Sequence, residues 1–203
     1  MATELEAKFR VESHGPVRER LRAIRAESLG AVIETNIILD SADGSLRRRG
    51  SGLRIRSALP VDGGTARVTL TYKGPLTASV FKSREEIEVS LGDAELAVGL
   101  LAALGFVSIL CYEKRRESWR IGECLVELDT PAAIGRFLEI EGPSVGSIRS
   151  VRDELGLSAA DHVRESYVRL LMAHCAERGL TDRTLTLDAG DRAPWNVRGK
   201  GKD

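Results

Sequence analysis

Charged and apolar residues alternate with period two through one short segment after another. This pattern constrains the chain more than any other feature. Glu4, Glu6 and Lys8 alternate with Leu5, Ala7 and Phe9; Arg54 and Arg56 flank Ile55; Arg84, Glu86 and Glu88 alternate with Glu85, Ile87 and Val89; Glu139 and Glu141 alternate with Leu138 and Ile140. Successive side chains of a strand point to opposite faces, so each segment is expected to put its charges on one face and its apolar residues on the other. Eight such strands can be placed, at 3–11, 31–39, 52–58, 66–73, 81–91, 108–116, 124–129 and 136–141. Turn signals at Asp43-Gly44, Asp62-Gly63-Gly64 and Lys73-Gly74-Pro75 separate several of them.

Helical spacing is confined to a few stretches. Gly15-Pro16 opens one that is expected to run to Gly30 through Val17, Leu21, Ile24 and Leu29, and Asp93 caps another that ends at Gly105. Ser147 to Leu155 and Ser158 to Arg178 read as two more. Many short strands with helices inserted between some of them favour an antiparallel barrel or strongly curved sheet over a doubly wound parallel sheet. The expected fold is therefore α+β, an eight-stranded antiparallel barrel with helices packed outside. The expected domain covers residues 1–180, and the polar segment 181–203, with Trp195 as its one possible anchor, reads as a flexible tail.

A wet sheet face usually mixes Thr, Ser, Gln and Lys. Here the face is almost wholly acidic and basic, with Lys73, Lys114, Arg116, Glu127 and Asp129 completing it. If the sheet closes, this face becomes a lumen, and a confined lumen crowded with both signs of charge reads as a site. E-x-E pairs place two hard oxygen ligands about 7 Å apart along a strand. Two pairs from different strands can converge on a divalent cation, and oxygen-only ligation selects magnesium or manganese. Guanidinium forks and ammonium groups on the other walls suit a polyphosphate.

The ordered motifs resemble those of the CYTH domain proteins, also called triphosphate tunnel metalloenzymes. Glu4-Leu5-Glu6-Ala7-Lys8 matches the ExExK motif. Gly52-Leu53-Arg54-Ile55-Arg56, Thr71-Tyr72-Lys73-Gly74-Pro75, Ser83 to Glu88, Lys114-Arg115-Arg116, Leu128-Asp129 and Gly135 to Glu141 follow in order. Ser166-Tyr167 resembles a pair in the cyclase-like branch. Ile38-Leu39-Asp40 departs from the family, where many members carry an aromatic-Asp pair. The resemblance implies a tunnel in which Glu4, Glu6, Glu88, Asp129, Glu139 and Glu141 bind Mg2+ or Mn2+. Lys8, Arg54, Arg56, Lys73, Arg84, Lys114 and Arg116 would bind phosphate, and Lys8, Glu4 and Glu6 are the expected catalytic residues. It also implies a triphosphate ligand, either tripolyphosphate, ATP or thiamine triphosphate. Hydrolysis is the leading expectation, cyclisation of ATP to cyclic AMP and pyrophosphate the alternative, and a polyphosphate sensor the third.

Composition narrows the field further. Thirty Lys and Arg balance thirty Asp and Glu across 203 residues, which argues against nucleic acid as partner. The longest apolar runs fall far short of the roughly 20 residues of a membrane span, and the N-terminal segment lacks a signal-peptide core, so a cytoplasmic protein is expected. Cys111, Cys124 and Cys175 show no ligand spacing and read as plain thiols. Arg47-Arg48-Arg49 reads as a solvated loop, and the exposed side of the sheet leaves a homodimer open.

Overall fold

A computed structural model describes residues 2–77 and 80–192. Its elements run β1 (Ala2–Val11), α1 (Gly15–Ala23), β2 (Glu27–Ser41), α2 (Ser45–Arg48), β3 (Gly52–Pro60), β4 (Arg67–Lys73), β5 (Lys82–Leu91), α3 (Ala94–Ala103), β6 (Phe106–Ile121), β7 (Cys124–Pro131), β8 (Arg136–Glu141), α4 (Val145–Glu154), a 3-10 turn (Ala159–Asp161), α5 (Tyr167–Glu177), β9 (Thr184–Leu185) and α6 (Ala189–Arg192). The first eight strands pair antiparallel in the order β2-β3-β4-β5-β1-β8-β7-β6, and β2 pairs with β6 to close the barrel. The expected eight-stranded antiparallel barrel is the fold observed.

Closure follows from the lengths of β2 and β6. They pair from Glu27↔Arg120 to Ser41↔Phe106, with register shifts between Ser28 and Gly30 and between Ile38 and Leu39. Bulges of this kind bend a strand and raise its twist, which a small barrel needs. Gly30 sits at the first of them with φ +93°, a conformation open to glycine.

The apolar outward residues of β1, β7 and β8 build the main core. Ala7, Phe9, Val126, Leu128, Leu138 and Ile140 pack with Val17 and Leu21 of α1 and with Ile148 and Val151 of α4. Trp119 belongs to this core and donates Nε1 to Glu117 at 2.9 Å. A second cluster joins Ile38, Leu110, Tyr112 and Phe137 to Tyr167 and Leu171, so α5 lies across one end of the barrel.

Four boundaries differ from the sequence expectation. The first helix ends at Ala23, not Gly30: Arg25 turns the chain with φ 57°, and pairing with β6 claims Glu27 onward as strand. The stretch from Ser158 to Arg178 is not one helix. The Val163 N–H donates to the Lys8 carbonyl at 2.7 Å, and α5 starts only at Tyr167, where Ser166 Oγ accepts from the Arg169 N–H. Arg47 and Arg48 lie in the short helix α2, whose Leu46 and Arg47 N–H groups donate to the buried Asp40 carboxylate. Residues 181–192, expected as the start of a tail, are docked: β9 pairs parallel with Cys111 and Tyr112 of β6, Leu187 is buried, and its N–H donates to Glu113. Trp195 lies outside the described residues. The three cysteines are free thiols, and among the described residues no helix is long and apolar enough to cross a membrane.

Candidate functional site

Strand parity carries the charged residues into the barrel. The cavity measures about 1380 Å³, and its lining includes Glu4, Glu6, Lys8, Arg54, Arg56, Lys73, Arg84, Glu86, Glu88, Lys114, Arg116, Glu127, Glu139 and Glu141. Asp129 is fully buried in the same wall.

Two regions of this wall differ in chemistry. In the first, β1 stands between β5 and β8, with Glu4 opposite Arg84 and Glu6 opposite Glu141. Glu4 takes Lys73 Nζ at 2.7 and 2.9 Å and Arg84 Nε at 3.3 Å. Lys73 also reaches Glu86 at 2.8 Å, and Lys82 reaches Glu6 at 2.9 Å. The Glu141 carboxyl, accessible at the rim, is raised by partial desolvation and then by the charges of Glu4 and Glu6. Glu88 lies beyond the end of β1, where it accepts from Thr71 Oγ1 at 3.0 Å and pairs with Arg67 at 3.5 Å.

The second region is centred on β6. Arg116 is bound by Asp129 through Nε at 2.7 Å and Nη2 at 2.6 Å, by Glu139 at 2.7 Å, and by Glu127. Lys114 lies between Asp129 at 3.1 Å and Glu34 at 3.2 Å. Burial opposes the charge on Glu34, but Lys114, Arg56 and Arg116 outweigh it and hold the carboxyl well below its usual range. Asp129, which also accepts from Tyr167 Oη at 3.0 Å, has both oxygens engaged by cations and a hydroxyl. In this arrangement it anchors the basic groups. Glu139 pairs with Arg116 and with Lys8 Nζ at 3.2 Å.

Lys8 is set apart by its surroundings. Its Nζ donates to the Glu165 carbonyl at 3.1 Å and lies 3.6 Å from the centroid of the Tyr167 ring. Burial lowers its pKa to about 8 against the pull of Glu139.

Among the described residues, Arg54 lacks the carboxylate that its neighbour Arg56 has. Arg56 is held by Glu34 at 3.0 Å and by Asn36 Oδ1 at 3.3 Å. The Arg54 Nε is shielded from solvent and has no hydrogen-bond partner, and its Nη2 reaches Thr71 Oγ1 at 3.4 Å. Burial, and then the adjacent Arg56, lower its pKa. The Thr69 hydroxyl, on the strand facing Arg56, is also buried without a partner. Arg54 lines the cavity beside Arg56 without a carboxylate of its own, a cationic pair suited to an anion.

The donor chemistry fits a divalent cation at the first region. Glu4, Glu6 and Glu141 are hard oxygen donors on neighbouring strands, and the charges of Glu4 and Glu6 add to the desolvation that raises Glu141. As the side chains stand, no three acidic, His or Cys groups among the described residues converge closely enough to form a ligand set. Lysines take the place of counter-ions.

The sequence reading missed Glu34, Lys82 and Tyr112, all of which line or support the cavity. Lys82 shares the parity of Arg84 and Glu86 and was open to detection on that ground. Tyr112 shares the parity of Lys114, and its hydroxyl is pushed up to about 12 by burial.

Comparison with known proteins agrees with this architecture. A Methanocaldococcus jannaschii protein named as a candidate adenylate cyclase is 28% identical over 177 residues, covering 82% of this chain and 97% of its own. A Pyrococcus horikoshii protein of known structure superposes with a TM-score of 0.75 at 28% identity, covering 84% of this chain and 99% of that one. A Hippeastrum protein, a candidate adenylyl cyclase described as having a dominant triphosphatase activity, shares the fold with a TM-score of 0.62 at 20% identity over 84% of this chain and 96% of its own. Residues 2–167 match the CYTH domain, and with the closed barrel and its inward ExExK strand they make this chain a member of the CYTH domain family.

Proposed function

We propose that this protein hydrolyses a triphosphate inside the barrel with the help of a divalent metal ion. The observation that carries this reading is the Arg54 guanidinium, without a carboxylate partner and seated beside Arg56 in a cavity that also holds the acid group of Glu4, Glu6 and Glu141. An extended triphosphate satisfies the first and needs metal to approach the second.

In this reading Glu4, Glu6 and Glu141 hold Mg2+ or Mn2+. The ion supplies neutralisation of the phosphate charge and polarisation of a phosphoryl oxygen. Arg54 and Arg56 bind and orient the polyphosphate, with Lys73 and Arg84 reaching it from the acidic side. Lys114 and Arg116 are already saturated with carboxylates, so they serve to keep the wall rigid. A water oxygen attacks a terminal phosphorus, the bond to the bridging oxygen breaks, and the leaving phosphate chain departs with that oxygen. Lys8, with its pKa lowered to about 8, is the group suited to take the proton of the attacking water.

Formation of cyclic AMP is the second reading, favoured by the name of the Methanocaldococcus relative. Incubation with ATP and with tripolyphosphate, each with magnesium or manganese, separates the two. Orthophosphate from either substrate supports hydrolysis. Cyclic AMP plus pyrophosphate from ATP, with tripolyphosphate intact, overturns it in favour of cyclisation.

A further inference from the structure

The outer wall of β3, β4 and β5 is apolar. Across it run the aligned rows Leu53–Tyr72–Ile87, Ile55–Leu70–Val89 and Ser57–Val68–Leu91. Neither core cluster includes any residue of these three strands, whereas the outward residues of β1, β7 and β8 are roofed by α1 and α4. Ile55 of β3 is buried, so the uncovered part of the wall is its β4–β5 side, where Ile87 and Val89 remain 44% and 49% exposed.

Beside this wall lies α3, in contact with β3 and β6. Its sequence, AELAVGLLAA, is apolar on every side apart from Glu95. An all-round apolar helix is ordinarily buried on every side. Yet α3 has no buried residue, while α1, α4 and α5 each bury two or three. Its half-buried Ala94, Ala97, Val98 and Leu101 face the barrel, and Leu96, Leu100 and Leu104 project outward at 74%, 64% and 67% exposure. Gly99 and Ala103 lie between these leucines, so another layer can approach the helix closely.

We propose that this surface is the interface of a homodimer in which α3 of each copy lies on the β4–β5 outer wall of the other. The deficits match. Each chain offers one helix without a covering layer and one sheet face without a covering helix, and a twofold axis lets each fill the other's need. A second copy also fits the charge pattern, because the three aligned rows and the outward leucines of α3 hold no charge to be met by a partner of opposite sign. Leu59, Ile87, Val89, Leu96, Leu100, Leu104 and Val107 together expose on the order of 400 Å² of apolar side chain, the size of the largest apolar patch on a typical monomer, which is often an interaction surface. That is about half of the ~800 Å² each partner contributes to a standard interface, and the half-buried rows and the rim supply the rest.

Sedimentation velocity over a dilution series of the whole protein tests this. The expected species is twice the 22.1 kDa chain mass at micromolar concentration. Leu100→Glu, at a side chain that is exposed in the single chain, is expected to weaken association at least a hundredfold with an unchanged far-ultraviolet dichroism spectrum. For the arrangement, Leu100→Cys and Val89→Cys proteins, each also carrying Cys111→Ser, are mixed under oxidation and are expected to cross-link to each other. A wild-type monomer at 100 µM overturns the proposal, as does a monomer that floats with phosphatidylcholine vesicles. A dimer unaffected by Leu100→Glu, or one in which Leu100→Cys cross-links only to itself, overturns the helix-on-sheet arrangement.

Discussion

Arg116 and Asp129 stand opposite each other in the β6–β7 register, and the guanidinium grips the carboxylate with two parallel hydrogen bonds of 2.7 and 2.6 Å. Side-on pairs of this type are strong and directional. The same carboxylate holds Lys114 and Tyr167, so one buried acid fixes three side chains of the wall. Asp129→Asn leaves two buried cations short of charge and is expected to cost about 3 kcal/mol of stability. Urea unfolding measures this, and a loss below about 1 kcal/mol would remove Asp129 from its anchoring role.

Arg54 gives the opposite expectation. Because its Nε has no partner in the protein, Arg54→Leu is expected to leave the urea midpoint unchanged or higher. Affinity for a triphosphate should fall about 10- to 100-fold, the range of a hydrogen bond to a charged group. Calorimetric titration with tripolyphosphate, run beside the unfolding curve, reads both. Unaltered binding would remove this residue from the anion site.

The acid group at β1 and β8 is tested with metal. Glu141→Gln removes one of three mutually repelling carboxylates. The magnesium or manganese concentration for half-maximal phosphate release is expected to rise at least tenfold, with unchanged or greater thermal stability in a chelator. Glu4→Gln and Glu6→Gln are expected to abolish metal-stimulated release. Full activity in either variant would end the metal assignment.

Glu127 sets a pH dependence of stability. Burial, reinforced by Asp129 and Glu139, raises its carboxyl from 4.5 to about 7 despite Arg116. The folded state therefore holds more protons than the unfolded one between about pH 4.5 and 7, so this group's contribution to stability falls as pH rises through that window. Glu127→Gln, uncharged at every pH, is expected to melt higher than the wild type at pH 8, by roughly 1–3 kcal/mol of stability, and equally near pH 4.5. Thermal melts across this range check it, and a variant less stable at pH 8 would reverse the sign.

Most of the wall was legible in the sequence because parity alone decides which way a strand residue points. Arg54, Arg56, Glu139 and Glu141 could be assigned to one face without knowledge of any partner strand. Glu34 escaped because it is the sole ionisable residue of its segment, among Val32, Ile33, Ile37 and Ile38, and a lone charge carries no period. Its importance arises from register, which brings Lys114 directly opposite and Arg56 within reach. Register is set by pairing between distant segments, which no local pattern reports. The extended stretch at His162 and Val163 was misread for the same reason: helical spacing favoured α5, and the hydrogen bond to the Lys8 carbonyl, 155 positions away in the numbering, won. The gap between Glu139 as an expected metal ligand and as a partner of Lys8 and Arg116 is likewise a matter of which strands meet.

The alternation that lines the barrel also gives its wall a reading frame of two. An extra residue between Arg54 and Ile55 would turn everything after it in β3 over, sending Arg56 to the outer surface and Ser57 into the cavity. Length changes are thus confined to the turns, while substitutions at inward positions can rewrite the chemistry without disturbing the outer layer. A laboratory library seeking a new anionic substrate could randomise one parity of β3, β4 and β5 and inherit the scaffold intact from the other.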